Sequence, residues 1–106
     1  MIRAVRLTPS AQEDFIDRFV MIGADSSDSA ERFRTGLLET LQFLAQSPNA
    51  GRPYRMRARV FRGMRAWPVG GFPKILIFYQ PDEEGNLIVR RILHGAMDLR
   101  RELKRR

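Results

Sequence analysis

A run of chain-breaking residues divides this sequence into two halves with different hydrophobic periods. Ser47-Pro48-Asn49-Ala50-Gly51-Arg52-Pro53 places two prolines and a glycine within seven residues. Neither a helix nor a strand continues through such a run. Before it, apolar residues recur every three to four positions; after it, they alternate. The switch confines the helices to the first half and most of the sheet to the second. The chain is therefore expected to be α+β, not a series of alternating βαβ units.

In the first half, Ile2–Leu7 reads as a short strand. Pro9 suits a first helical turn, and Thr8 or Ser10 can cap it, with Ser10 and Glu13 in capping-box spacing. Ala11, Phe15, Phe19 and Ile22 form one stripe of a first helix over about 9–22, which Gly23 is expected to end. Asp25-Ser26-Ser27-Asp28 is a turn, and Asp28 with Glu31 starts a second helix over about 29–46. Its buried stripe is Ala30, Phe33, Leu37, Leu41 and Leu44. The two form an antiparallel helical hairpin. Phe43 lies off that stripe, near Arg32 and Glu39, either under a neighbouring loop or as a contact for a partner helix. Gly36 beside it costs about 1 kcal/mol of helix stability relative to Ala.

In the second half, Arg55, Arg57 and Arg59 alternate with Met56, Ala58 and Val60, as on an extended edge segment. Met64–Val69 reads as a strand, with Pro68 placing it at an edge or strand end. Gly70-Gly71 is a turn. Lys74–Tyr79 is apolar on both faces and is the central strand. Pro81–Asn86 closes a hairpin to a last strand, Leu87–Leu93. A short basic helix or tail follows from Asp98. The expected fold is β-α-α-β-β-β: a largely antiparallel twisted sheet against a helical hairpin, as one domain over residues 1–106.

Composition narrows the chemistry. The 106 residues include no cysteine, which excludes disulfides, thiolate zinc sites and cysteine nucleophiles. The longest apolar runs are short, so neither a signal peptide nor a membrane span is expected, and a cytoplasmic location fits. Charge is uneven. Residues 1–51 carry five basic and seven acidic side chains, net −2; residues 52–106 carry fourteen and five, net +9. Seventeen of the nineteen bases are Arg. A GC-rich genome raises arginine usage everywhere, but it does not produce the asymmetry. A one-sided guanidinium surface points to a partner rich in phosphate or carboxylate.

Catalytic signals are sparse. The acids lie on helix faces and in the 81–86 turn, away from any pairing for hydrolysis. No phosphate-binding glycine loop occurs, and the lone histidine, His94, cannot hold a metal without carboxylates beside it. No cofactor or metal is expected. His94 either ties the last strand to the following loop or moves protons. Arg65, Tyr79, Arg90 and Arg91 fall on neighbouring strands. With His94, the set Arg65, Tyr79 and Arg91 offers a metal-independent route to RNA cleavage, arginine stabilising the phosphorane and Tyr or His moving protons. Trp67 and Tyr79 are either base-stacking groups or core.

Several strings converge on one family. They are Leu7-Thr8-Pro9-Ser10-Ala11, Ala30-Glu31-Arg32-Phe33, Ser47–Arg52, Arg65-Ala66-Trp67-Pro68-Val69, Ile75-Leu76-Ile77-Phe78-Tyr79 and, most specific, Arg91-Ile92-Leu93-His94-Gly95-Ala96-Met97-Asp98-Leu99. Over nearly its whole length the chain resembles the ParE/RelE toxins of bacterial type II toxin–antitoxin modules, also called plasmid-stabilisation proteins. The ending resembles that of the ParE branch. The resemblance implies a growth-inhibiting toxin, neutralised by a cognate antitoxin with an acidic C-terminal segment, that binds and poisons DNA gyrase. The alternative it implies is a RelE-like endoribonuclease acting on mRNA in the ribosome. RelE-like enzymes use a Tyr near the C-terminus, and no Tyr follows Tyr79 here, which favours gyrase inhibition over catalysis. The residues expected to meet target or antitoxin are Phe43, Arg55, Arg57, Arg59, Arg65, Arg91, His94, Asp98, Arg100 and Arg101. Met97 stands where the family ending usually has Arg. That leaves open a toxin of reduced potency, a non-toxic member kept as a binding module, or a neutral surface change.

Overall fold

A single residue, Ser26, separates the two long helices and caps both. In the computed structural model, which describes residues 4–105, α1 (Pro9–Asp25) ends as the Ser26 N–H donates to the Ile22 carbonyl, 3.0 Å. The Ser26 hydroxyl then accepts from the Ser29 N–H, 3.1 Å, and opens α2 (Ser27–Gln46). Gly23 does not end α1 as expected. It stays helical without a positive φ and lies against Ala30 of α2. Thr8 supplies the N-cap of α1, its hydroxyl accepting from the Ala11 N–H at 3.1 Å. The Asp28–Glu31 capping box is replaced by Ser26.

Five strands make one sheet: β1 (Val5–Leu7), β2 (Arg52–Pro53), β3 (Arg65–Val69), β4 (Phe72–Pro81) and β5 (Leu87–His94), in the order β1-β5-β4-β3-β2. β1 runs parallel to β5 and every other pairing is antiparallel. A last helix, α3 (Leu99–Lys104), follows. The fold is α+β with a mixed sheet, and the expected order of elements holds with β2 added. Ile2 and Arg3 of the expected first strand lie outside the described residues.

The expected edge segment through Arg55, Arg57 and Arg59 is not a strand. Only Arg52 and Pro53 pair with β3. The chain then leaves the sheet plane and closes a 3-10 turn at Arg59–Phe61. The reason is burial: Tyr54, Met56 and Phe61 fold over the sheet face opposite the hairpin.

β4 is central and is covered on both faces. Ile75, Ile77 and Tyr79 face the hairpin with Phe33, Leu37 and Leu44, while Phe78 joins Met64, Leu93 and Leu103 on the far side. Burial of Leu103 contributes about 2 kcal/mol, enough to dock a six-residue helix that would not form alone. On the hairpin side the β3–β4 turn seats directly on α2. The buried Thr40 hydroxyl donates to the Gly36 carbonyl, 2.6 Å, and accepts from the Gly70 N–H, 2.9 Å. A Cβ on Gly36 would overlap the Gly70 carbonyl oxygen. Gly36 is thus a close-approach residue, which offsets its low helix propensity.

Gly36→Ala should push this turn off the helix and destabilise the fold by about 1–3 kcal/mol. The measurement is urea unfolding, with a lowered midpoint at unchanged m.

Candidate functional site

Arg65 and Tyr79 face each other as register partners on β3 and β4. Both are tied to the connection between α2 and β2. The Tyr79 hydroxyl donates to the Pro48 carbonyl, 2.8 Å, and accepts from the Gly51 N–H, 2.9 Å. Arg65 donates through Nη1 to the Gly51 carbonyl, 2.7 Å, and to the Asn49 carbonyl, 3.3 Å. Tyr79 is 1% exposed. Burial pushes its pKa up, opposed in part by the Gly51 N–H and the Arg65 charge. The breaker cluster that ends the helical half is therefore clamped by these two side chains.

Arg91 makes a second clamp. Its Nε and Nη2 donate to both carboxylate oxygens of Asp14 on α1, at 2.6 and 2.9 Å, and Nη1 donates to the Glu102 carbonyl on α3. The Glu102 carboxylate lies 3.7 Å away. The bidentate bond to Asp14 raises the Arg91 pKa, opposed by partial burial. Arg90 donates to Gln80 Oε1, 2.8 Å.

His94 Nδ1 accepts from the Ala96 N–H, 3.1 Å, in the turn after β5. Asp98 caps α3, accepting from the Arg101 N–H at 3.3 Å. Asp98 does this with Met97 before it, and the Met97 side chain is exposed.

The ten residues expected to meet a partner thus divide. Arg65, Arg91, His94 and Asp98 are engaged in holding the fold. Arg55, Arg57, Arg59, Arg100 and Arg101 are exposed on the sheet face opposite the hairpin. Phe43 is 44% exposed and leans on Trp67 of β3, ring centroids 5.5 Å apart. Of the four residues of the RNA-cleavage alternative, Arg65 and Tyr79 meet in one clamp, while Arg91 and His94 belong to other contacts.

Sequence reasoning missed the exposed apolar residues Ile16, Val20 and Leu38 on the hairpin. A signal was present for the first two, since Ile16 and Val20 are four apart and off the Ala11–Ile22 stripe. It also missed Asp14, whose partner lies 77 residues away. Among the described residues, no group of three or more His, Cys, Asp or Glu side chains converges on a metal position, and no helix is long and apolar enough to cross a membrane.

The chain thus folds as a helical hairpin on a mixed five-stranded sheet, with β1 parallel to the last strand. A solved structure described as the chromosomal ParDE TA system from P. aeruginosa shares this fold, with a TM-score of 0.71 at 16% identity over 88% of this chain and 96% of that one. No curated protein matches the sequence. The family model described as "ParE toxin of type II toxin-antitoxin system, parDE" matches residues 5–99. The chain belongs to that family. It is a ParE toxin, and membership implies a cognate antitoxin as its partner.

Tyr79→Phe removes the bonds to Pro48 and Gly51 and should cost about 1–3 kcal/mol. The native state holds the Tyr79 proton more tightly than the unfolded chain does. Its contribution is therefore complete below the ordinary tyrosine pKa near 10 and is lost as pH rises through the raised native value. Denaturant melts should show the gap between wild type and Tyr79→Phe narrowing above about pH 10.

Proposed function

We propose that this toxin arrests growth by binding and poisoning DNA gyrase, and that its antitoxin silences it by covering the helical hairpin. The observation that carries the first part is the clamp at Pro48–Gly51. The tyrosine that a metal-free ribonuclease would use has its hydroxyl bonded on both sides and its ring in the core. Proton transfer to a bound RNA would require this connection to come away from the sheet. The remaining exposed side chains bind charge and apolar surface, which suits a protein that acts by occupying a larger machine.

The antitoxin reading follows from the surface. Ile16, Val20 and Leu38 expose apolar area on α1 and α2, and Phe43 exposes more beside Trp67. An amphipathic segment anchors through such side chains. The +9 half of the chain attracts an acidic segment at long range and speeds encounter.

Supercoiling by purified gyrase should fall as this protein is added. Undisturbed supercoiling, together with codon-linked mRNA cuts in intoxicated cells, would transfer the assignment to the ribosome. Phe43→Ala should weaken antitoxin binding by about 1–3 kcal/mol in a titration. An unchanged affinity would remove Phe43 from that interface.

A further inference from the structure

Residues 52–74 contain seven basic side chains and no acidic one. Arg55, Arg57, Arg59 and Arg62 are exposed. The ion pairs among the described residues engage Arg34, Arg91 and Arg105, and none of these four.

The segment that carries them is held in place. The Arg55 carbonyl accepts from Arg100 Nη1, 2.9 Å, and Gln80 Nε2 donates to both the Val60 and Arg62 carbonyls, each at 3.0 Å. The Tyr54 N–H donates to the Met64 carbonyl, 2.8 Å. Tyr54, Met56 and Phe61 pack into the second core cluster. The negative ends of these peptide dipoles are thus occupied from within, while the guanidinium groups face outward. The result is a preformed cationic ridge, with little ordering cost on binding and with its like-charge repulsion unrelieved in the free chain.

We propose that the ridge of Arg55, Arg57, Arg59 and Arg62, extended by Arg100 and Lys104 of α3, binds the phosphodiester backbone of duplex DNA. Guanidinium forks match phosphate oxygens, and arginine is used here almost to the exclusion of lysine. A peptide partner would need apolar anchors. Within residues 52–74 only Val60 is an exposed large apolar side chain, and the apolar area of the hairpin lies across the sheet. A single strand would need free aromatic faces on which bases stack. Tyr54 packs edge-on to Phe78, 5.1 Å between centroids, and lies under the Arg100 guanidinium at 5.2 Å. Trp67 is covered by Phe43. A duplex backbone requires neither anchors nor stacking, and it presents one charge per about 1.7 Å of axis.

The contact is independent of the gyrase reading and is tested without gyrase. Fluorescence anisotropy of the purified chain with a labelled duplex of about 20 base pairs is followed from about 50 to 200 mM salt. The logarithm of affinity should fall linearly with the logarithm of salt. The quadruple variant Arg55→Gln, Arg57→Gln, Arg59→Gln, Arg62→Gln should lower the steepness by about 3–4, since each phosphate contact contributes about 0.9. An unchanged thermal midpoint checks that the variant is folded, and the single variant Arg57→Glu should weaken binding in the same direction. No duplex binding at low salt, or binding indifferent to these substitutions, would overturn the proposal. So would tighter binding of a single strand of equal phosphate number, or of an acidic peptide of equal charge.

Discussion

The bond between Asp14 and Arg91 joins the three parts of the molecule that meet at the edge of β5. β1 is only three residues long and its pairing with β5 stops at Val89. Beyond that point β5 would present an open edge, ready to pair with another strand. The start of α1 closes it instead. The Thr8 N–H donates to the Val89 carbonyl, 3.0 Å, and the Thr8 hydroxyl donates to the Arg90 carbonyl, 2.8 Å. Asp14 accepts from the Ile92 N–H, 2.9 Å, while it grips Arg91. One carboxylate therefore replaces a missing strand partner and neutralises a largely buried guanidinium. Removing it would leave the Ile92 N–H without its partner and the guanidinium with only its Glu102 contacts, which is why such pairs are costly to break even where forming them yields little net stability. Through the Glu102 carbonyl the same guanidinium also holds α3.

Because β4 lies mid-sheet and is covered on both faces, the molecule has two unlike surfaces. The hairpin covers one face and leaves apolar side chains exposed on its outer side. The 54–62 segment and α3 cover the other and leave arginines exposed. The bulge between Phe78 and Tyr79 sharpens the division, since the register passes from Arg91 to Val89 and leaves Arg90 as the extra residue. Arg90 reaches Gln80, the residue that also pins the ridge backbone. The sheet irregularity and the arginine surface are thereby mechanically linked.

What was legible in the sequence was whatever local periodicity encodes. The stripe Ala30, Phe33, Leu37, Leu41, Leu44 is buried as a stripe, and Ile75–Tyr79, apolar on both sides, is the central strand. The Gly70-Gly71 turn followed from composition, and Gly71 takes the positive φ it permits. Alternation at Arg55–Arg59 reads as an extended edge segment because the pattern records which side chains are wet, not whether the backbone pairs. Gly23 reads as a terminator, but a one-residue link capped twice by Ser26 leaves no room for a glycine turn, and nothing near Gly23 says so. The clamps were invisible for a different reason. Arg65, Tyr79 and Arg91 look like free functional groups until the folded chain brings Gly51, Pro48 and Asp14 to them.

Two side chains of the proton-transfer type are already engaged: the His94 Nδ1 accepts a hydrogen bond, and the Tyr79 hydroxyl is bonded on both sides while burial pushes its pKa up. Apart from Lys74 and Lys104, the exposed cations are arginines, which stay protonated and neither give nor take a proton in water. Permanent charge on one face and aliphatic area on the other are suited to holding partners by electrostatic and apolar contact. Small size is compatible with that role because binding needs area, and both faces of the central sheet are already lined with elements that display it. The two faces can be occupied at once, so an apolar partner on the hairpin does not by itself remove the arginine ridge from its own ligand. The two surfaces are separable in this way because the sheet is covered on both sides, by the hairpin on one and by the 54–62 segment and α3 on the other.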